Sequence, residues 1–300
     1  MKKFSKVARV CGASLAALAS VVAGTVVTAP VAAAQEGCPA VVVVAARGSG
    51  QNGGAEWAPT QYGASPWVSN GREGSTIRSF LHYAEGVHQA DTGTSLFNNV
   101  QVIGIDEHSY PANFPENDFR QPTNVSEAIE EFTGRAVPKA QSFLQSISMG
   151  RVGARVTVDG YEATTGCHPK YLLVGFSQGA TVITKLETQL ANEGRLAGAL
   201  YMGSPYTSSS DPHRFGSGLS GNGLLANVGE NRHRINANNR RVEYCIQGDI
   251  WCDLNPGKIV NKNVDNPWGH NQYFVGSTPF PGDRDEVARR FAHLIHTAWQ

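Results

Sequence analysis

The sequence holds no internal repeat, no coiled-coil heptad and no glycine motif of the kind that cradles phosphate, which removes solenoid, coiled-coil and nucleotide-binding readings. Charge is sparse, at 17% of residues, and neither sign dominates: 25 Lys and Arg face 25 Asp and Glu across 300 positions. Four of the cations (Lys2, Lys3, Lys6 and Arg9) lie in the first 34 residues with no acid among them. Setting these four aside leaves 21 basic against 25 acidic residues, a balance of −4. Such a surface offers no electrostatic footprint for nucleic acid or an anionic membrane. Beyond the N-terminus no run is apolar enough to cross a bilayer. What remains, 41% apolar and 9% aromatic, is neither collagen-like nor disordered and suffices for a sizeable core.

The N-terminus reads as an export signal. A basic start from Lys2 to Arg9 leads into a small-residue apolar run from Val10 to Val27 and then Ala32-Ala33-Ala34 before Gln35. Cleavage after Ala34 leaves residues 35–300 as a single domain, secreted or associated with the cell envelope, with no transmembrane segment. A retained membrane anchor is the competing reading, since the run is nearly long enough to span a bilayer. The small-residue exit and the extreme terminal position favour removal.

Five cysteines are few, and Cys11 leaves with the signal. The other four, Cys38, Cys167, Cys245 and Cys252, form an even set in a chain bound for an oxidising compartment. Three connectivities are open to them. The preferred one joins Cys38 to Cys167 across a long loop and Cys245 to Cys252 across a short one. A zinc site competes, but the spacing fits no metal template well.

Short apolar runs at Val41–Val44, Val100–Ile105, Tyr171–Val174, Ala199–Met202 and Val242–Ile246 read as strands buried on both faces. Helical patterns lie between and after them: Ser126–Ser148, with Pro138 as a kink or break; Ala180–Leu190; and Asp285–Trp299 behind an Asp283-x-x-Glu286 capping box. This alternation predicts an α/β fold, a mostly parallel sheet with helices on both faces. Two segments interrupt it, the aromatic-bearing stretch from Gln51 to Ser75 and the polar stretch from Ser204 to Asn239.

Gly175-Phe176-Ser177-Gln178-Gly179 follows the third strand and opens a helix, the strand–turn–helix setting of a nucleophile elbow. A serine hydroxyl is a poor nucleophile at neutral pH, so a base and an orienting acid must follow. On sheets with this elbow the chain order is Ser, then Asp or Glu, then His. His270, in a Gly-rich loop with Trp268, precedes the last helix and suits the base. His213 and His233 belong to the polar stretch, and His293 and His296 to the final helix. Asp249 suits the acid because a Cys245–Cys252 bond clamps its loop; Asp211, Asp253 and Asp265 are the alternatives, the last two reading as solvated loop carboxylates or caps. Arg47-Gly48-Ser49-Gly50 turns at the same sheet edge. The N–H of Gln178 and the N–H of Ser49, with the Ser49 hydroxyl as a further donor, suit an oxyanion hole.

The sequence resembles the cutinase-like serine esterases, especially the secreted ones of bacteria with mycolic-acid envelopes. The resemblance rests on Cys38-Pro39, Ala46-Arg47-Gly48-Ser49, Tyr110-Pro111-Ala112, Cys167 ahead of the elbow, Cys245-x-x-Gly248-Asp249-x-x-Cys252 and His270-x-x-Tyr273, in order across nearly the whole mature chain. It implies a three-layer α/β-hydrolase fold, Ser177, Asp249 and His270 as a triad, Ser49 and Gln178 as the oxyanion hole, and the two disulfides as paired above. A monomer that hydrolyses carboxylic esters or lipids without cofactor or metal is the resulting expectation. Acyl transfer or hydrolysis on an envelope glycolipid such as a trehalose ester is the alternative chemistry, and a non-catalytic lipid-binding protein the alternative class. Three departures stand out: Gln51 where an acid is common, the long 51–75 loop, and the long gap between Cys252 and His270. The added loops either shape a selective acyl cleft or pack an enlarged rim.

Overall fold

Strands that read as continuous Val, Ile and Leu do so because helices cover both of their faces. The computed structural model describes residues 37–53, 57–113, 136–227, 240–255, 269–276, 278 and 280–298, all within one unit spanning Glu36–Gln300. The expected export signal at 1–34 lies outside the described residues, as do His233, Asp265 and Trp268.

Six strands are present among the described residues: β1 (Val41–Ala46), β2 (Val100–Gly104), β3 (Lys170–Phe176), β4 (Leu196–Met202), β5 (Arg214–Phe215) and β6 (Arg241–Tyr244). All pairings are parallel, in the order β2-β1-β3-β4-β6-β5. Five match the expected runs. The sixth, β5, is two residues long inside the polar stretch, too short to carry a periodic signal.

Alternate residues of β1 feed two cores. Val41, Val43 and Ala45 pack with Leu172 and Val174 against α1 (Ser75–Thr92) and α4 (Pro281–Thr297). Val42, Val44 and Ala46 pack with Tyr171 and Leu173 against α2 (Ala136–Thr165) and α3 (Gln178–Asn192). The three-layer α/β architecture is therefore the observed one. Among the described residues no helix is long and apolar enough to cross a membrane.

The helices differ from expectation in three ways. Helix α1 has no counterpart among the expected helices, although Ile77, Phe80, Leu81 and Ala84 form its buried seam. Its signal is diluted because Thr76, Glu85 and His88 are buried on it as well. Pro138 does not end α2: it lies within the described span of the helix, Ala136–Thr165. The helix then runs on past Ser148 through Gly150, where a Cβ would stand 2.6 Å from Tyr110 Cδ2, so this glycine serves close packing rather than termination. At α4 the expected capping box is not used: Phe280 is the N-cap, without a side-chain bond, and Asp283 accepts instead from the Ser217 N–H and hydroxyl, both at 2.7 Å.

Both disulfides form as expected, Cys38–Cys167 and Cys245–Cys252. Sulfurs joined in this way offer no thiolates, which overturns the zinc reading. The first bond ties the entry of β1 to the entry of β3, and the second closes a loop at the exit of β6. Described parts of the 51–75 stretch pack inward: Tyr62 is buried against Phe97, and its hydroxyl donates to the buried Glu73 carboxylate at 2.6 Å.

Candidate active site

With every strand parallel, the exits of β1, β3, β4 and β6 converge on one edge, where open α/β sheets place their sites. Ser177 occupies the turn from β3 to α3 at φ 55° and ψ −120°, a conformation that costs a non-glycine residue free energy. Two residues away on either side, Gly175 and Gly179 have no room for a Cβ. A Cβ on Gly179 would fall 1.9 Å from Ala46 O, and one on Gly175 would fall 2.7 Å from Ala180 Cα. The turn thereby projects Ser177 from the sheet at the start of a helix whose first N–H groups have no intrahelical partner.

His270 lies on a 3-10 turn, Gly269–Gln272. Its Nε2 is 2.7 Å from Ser177 Oγ, and its Nδ1 is 2.8 Å from Asp249 Oδ2. A carboxylate only accepts, so Nδ1 carries the proton and Nε2 presents its lone pair to the serine. Phe176 stacks under the imidazole with centroids 5.0 Å apart, and Trp251 flanks it at 5.8 Å. Asp249 is fully buried. Besides His270 it accepts from Trp251 N at 2.9 Å (Oδ1) and from the Tyr273 hydroxyl at 2.8 Å (Oδ2). The fold thus brings together all three residues that the sequence singled out.

The flanking loop of β1 is equally fixed. The buried Arg47 guanidinium donates to Ile105 O at 2.7 Å, to Tyr110 O at 2.5 Å and to Asn52 Oδ1 at 2.7 Å. Gln51, the departure from the acidic residue of the resembling family, accepts from Gly48 N at 3.3 Å and donates to Thr76 Oγ1 at 2.7 Å. Gly48 packs on the elbow: a Cβ would stand 2.6 Å from Phe176 Cδ1 and 3.6 Å from Ser177 Cβ. The next residue, Ser49, has a buried hydroxyl without a hydrogen-bond partner among the described residues. The Gln178 side chain is buried and faces away from the sheet edge. Its Oε1 is 3.0 Å from the Tyr110 hydroxyl and 3.2 Å from Ser146 Oγ, and its Nε2 donates to Asn113 O at 3.3 Å. These bonds commit the Gln178 side chain to Tyr110, Ser146 and Asn113.

Among the other acids, Asp253 is not the solvated carboxylate that its loop position suggests. It is buried, accepts from Ser220 N at 2.8 Å and Gly248 N at 3.1 Å, and pairs with Arg214 at 3.2 Å, stapling two loops together. Asp211 is buried 3.9 Å from Arg241 and away from His270's partners. His293 and His296 lie on α4, where His296 packs on His88 of α1 at 5.1 Å.

Two supporting residues carry no signal in the sequence. Arg284 of α4 donates to the carbonyls of Gln272 (2.7 Å), Val275 (3.2 Å) and Gly276 (2.9 Å), holding the chain that leaves His270. Gly203, at the exit of β4 with φ 58°, faces Asp249 and His270: a Cβ there would stand 3.0 Å from His270 Cε1 and 3.1 Å from Asp249 Oδ2. Gly203→Ala should therefore lower kcat about tenfold by displacing the imidazole a few tenths of an ångström, with a stability loss of about 1 kcal/mol from the left-handed backbone. Steady-state kinetics and thermal unfolding of the variant check this; an unchanged kcat would refute the proposed tight contact.

Sheet order, covered faces and the strained elbow define a doubly wound α/β-hydrolase-type fold. No family model and no curated protein matches the sequence. Solved structures with similar folds include a cutinase-like protein from Cryptococcus sp., 16% identical with a TM-score of 0.49 over 88% of this chain and 98% of that one. The catalytic core domain of acetyl xylan esterase from Trichoderma reesei is 15% identical with a TM-score of 0.49 over 87% and 100%. A Trichoderma reesei cutinase in complex with a C11Y4 phosphonate inhibitor is 17% identical with a TM-score of 0.43 over 86% and 77%.

Proposed function

We propose that this protein is an exported serine esterase that hydrolyses carboxylic esters through an acyl-enzyme. The observation that carries the reading is the unbroken hydrogen-bond line Asp249–His270–Ser177, with contacts of 2.8 and 2.7 Å, ending on a hydroxyl at a helix N-terminus. In the first half-reaction Ser177 Oγ bonds to the ester carbonyl carbon as its proton passes to His270 Nε2. The oxyanion is held by the N–H groups of Ser49 and Gln178, with the unpartnered Ser49 hydroxyl as a third donor. Collapse breaks the bond to the alkoxy oxygen, which takes the proton from His270. Water then attacks the acyl carbon, giving its proton to Nε2, and the acid departs as Ser177 is regenerated. Asp249 stays an anion throughout and compensates the imidazolium. Two disulfides support an oxidising destination for the chain.

An alkyl fluorophosphonate tests the assignment, because phosphorus attack needs the same serine, base and oxyanion donors. One adduct per folded chain, mapped by peptide mass to the segment holding Ser177 and absent after denaturation, is the expected result. Failure of the folded protein to label, together with no turnover of p-nitrophenyl acetate or butyrate, would reject it.

A further inference from the structure

Asp249 Oδ2 takes two donors, and only one of them belongs to the base. The other is the hydroxyl of Tyr273, which is fully buried and 2.8 Å away. That hydroxyl in turn accepts from Ile246 N at 3.0 Å, so its lone pair is engaged and its single proton points to the carboxylate. The result is a directed chain from the Ile246 N–H through the Tyr273 hydroxyl to Asp249, which meets the His270 Nδ1–H at the same oxygen. Burial and the Asp249 charge push the Tyr273 phenol well above its ordinary range, which favours the protonated, donating form.

From this geometry we infer that Tyr273 is a positioning residue of the site, one that fixes the Asp249 carboxylate and tempers the negative charge it presents to His270. The inference rests on the esterase reading above. Its physical content is a competition. A carboxylate oxygen that shares its charge between two donors holds each less strongly than it would hold one alone. Tyr273 therefore weakens the pull of Asp249 on the imidazolium, while keeping Oδ2 aimed at Nδ1. The same hydroxyl joins the two loops that must register, the Asp loop through Ile246 and the His loop through Tyr273 itself. Among the described residues, two other titratable groups lie against this cluster. Tyr244 meets the Tyr273 ring edge-on at 5.5 Å, and Asp253, one turn from Asp249, is committed to Arg214 and to loop N–H groups. The aromatic walls Phe176 and Trp251 carry no charge.

The test uses the pH dependence of kcat/KM for a p-nitrophenyl ester, whose acid limb reports protonation of the base in the free enzyme. Tyr273→Phe removes the donor and keeps the ring. Asp249 then directs its full charge at His270, the imidazolium is better stabilised, and the acid limb moves to higher pH, with kcat/KM at the optimum down about tenfold. Replacing Tyr273 by 3-fluorotyrosine keeps the ring and the hydroxyl and makes the phenol a stronger donor, so the limb moves the other way, to lower pH. Opposite shifts in the two variants support the inference. A folded Tyr273→Phe enzyme that loses rate with its limb unmoved shows a packing role alone and overturns it, as does an unmoved limb in the fluorinated enzyme. The latter arm decides the matter if Tyr273→Phe does not fold. Fluorophosphonate labelling of the wild type separates these outcomes from a failure of the esterase reading itself.

Discussion

Asp249→Asn is expected to lower kcat by about four orders of magnitude while leaving the fold intact, because the amide imposes the wrong tautomer on the base. The environment decides which way the amide lies. Trp251 N donates to the Oδ1 position at 2.9 Å, so the amide oxygen must occupy it, and the NH2 group falls where Oδ2 now receives His270 and Tyr273. The opposite orientation sets NH2 against a buried N–H, leaving a donor unsatisfied at a cost of about 1–3 kcal/mol. With NH2 facing it, His270 Nδ1 has to become an acceptor and Nε2 has to carry the proton. Ser177 then faces an N–H at 2.7 Å instead of a lone pair, and its own proton has nowhere to go. Steady-state turnover, the rate of fluorophosphonate labelling and thermal unfolding should be measured together. Rate and labelling falling in parallel, with the unfolding temperature shifted by only a few degrees, is the expected pattern; a kcat within tenfold of wild type contradicts the proposed role of the acid.

How much of this site is legible in the sequence depends on the range over which each constraint acts. The elbow is local: the glycines at 175 and 179 are demanded by atoms of a strand and helix that flank the serine, so five consecutive residues announce it. Asp249 and His270 are legible through order along the chain and through a disulfide loop that marks one of them. Arg284 and Gly203 act only through contacts made after folding, on carbonyls and a ring brought in from other elements, and nothing in their neighbours points to them. Asp253 misleads for the same reason, since a carboxylate in a polar loop looks solvated until Ser220, Gly221 and Gly248 close over it with their N–H groups. The strands are easy to read because two covered faces leave long apolar runs. Helix α1 is not, because its seam buries polar Thr76, Glu85 and His88 beside the apolar residues.

Removing each disulfide should separate stability from activity, and the size of the loops says how. Cys38 and Cys167 are 129 residues apart, so loss of their bond by paired replacement with Ser should destabilise the fold by about 5 kcal/mol in the chain-entropy model. That approaches the whole stability of many domains. The bond joins the entries of β1 and β3, at the opposite ends of those strands from Ser177, so whatever fraction of this variant is folded should keep the wild-type kcat. Cys245 and Cys252 are only 7 residues apart, and the same model assigns their bond about 2.5 kcal/mol. Asp249 sits inside that loop, however, and its backbone N–H bonds Ile246 O at 3.0 Å while its carbonyl receives Cys252 N at 3.1 Å. In the proposed mechanism, opening the loop therefore frees the acid that orients His270. The smaller loss of stability should accompany the larger loss of kcat, by about a hundredfold if the carboxylate is displaced by about 1 Å. Denaturant unfolding, and kcat corrected for the labelled fraction of active sites, measure the two quantities independently. A wild-type kcat in the Cys245/Cys252 variant would mean that the short loop holds Asp249 without its disulfide, and that the hydrogen bonds from Trp251 and Tyr273 suffice to position the carboxylate.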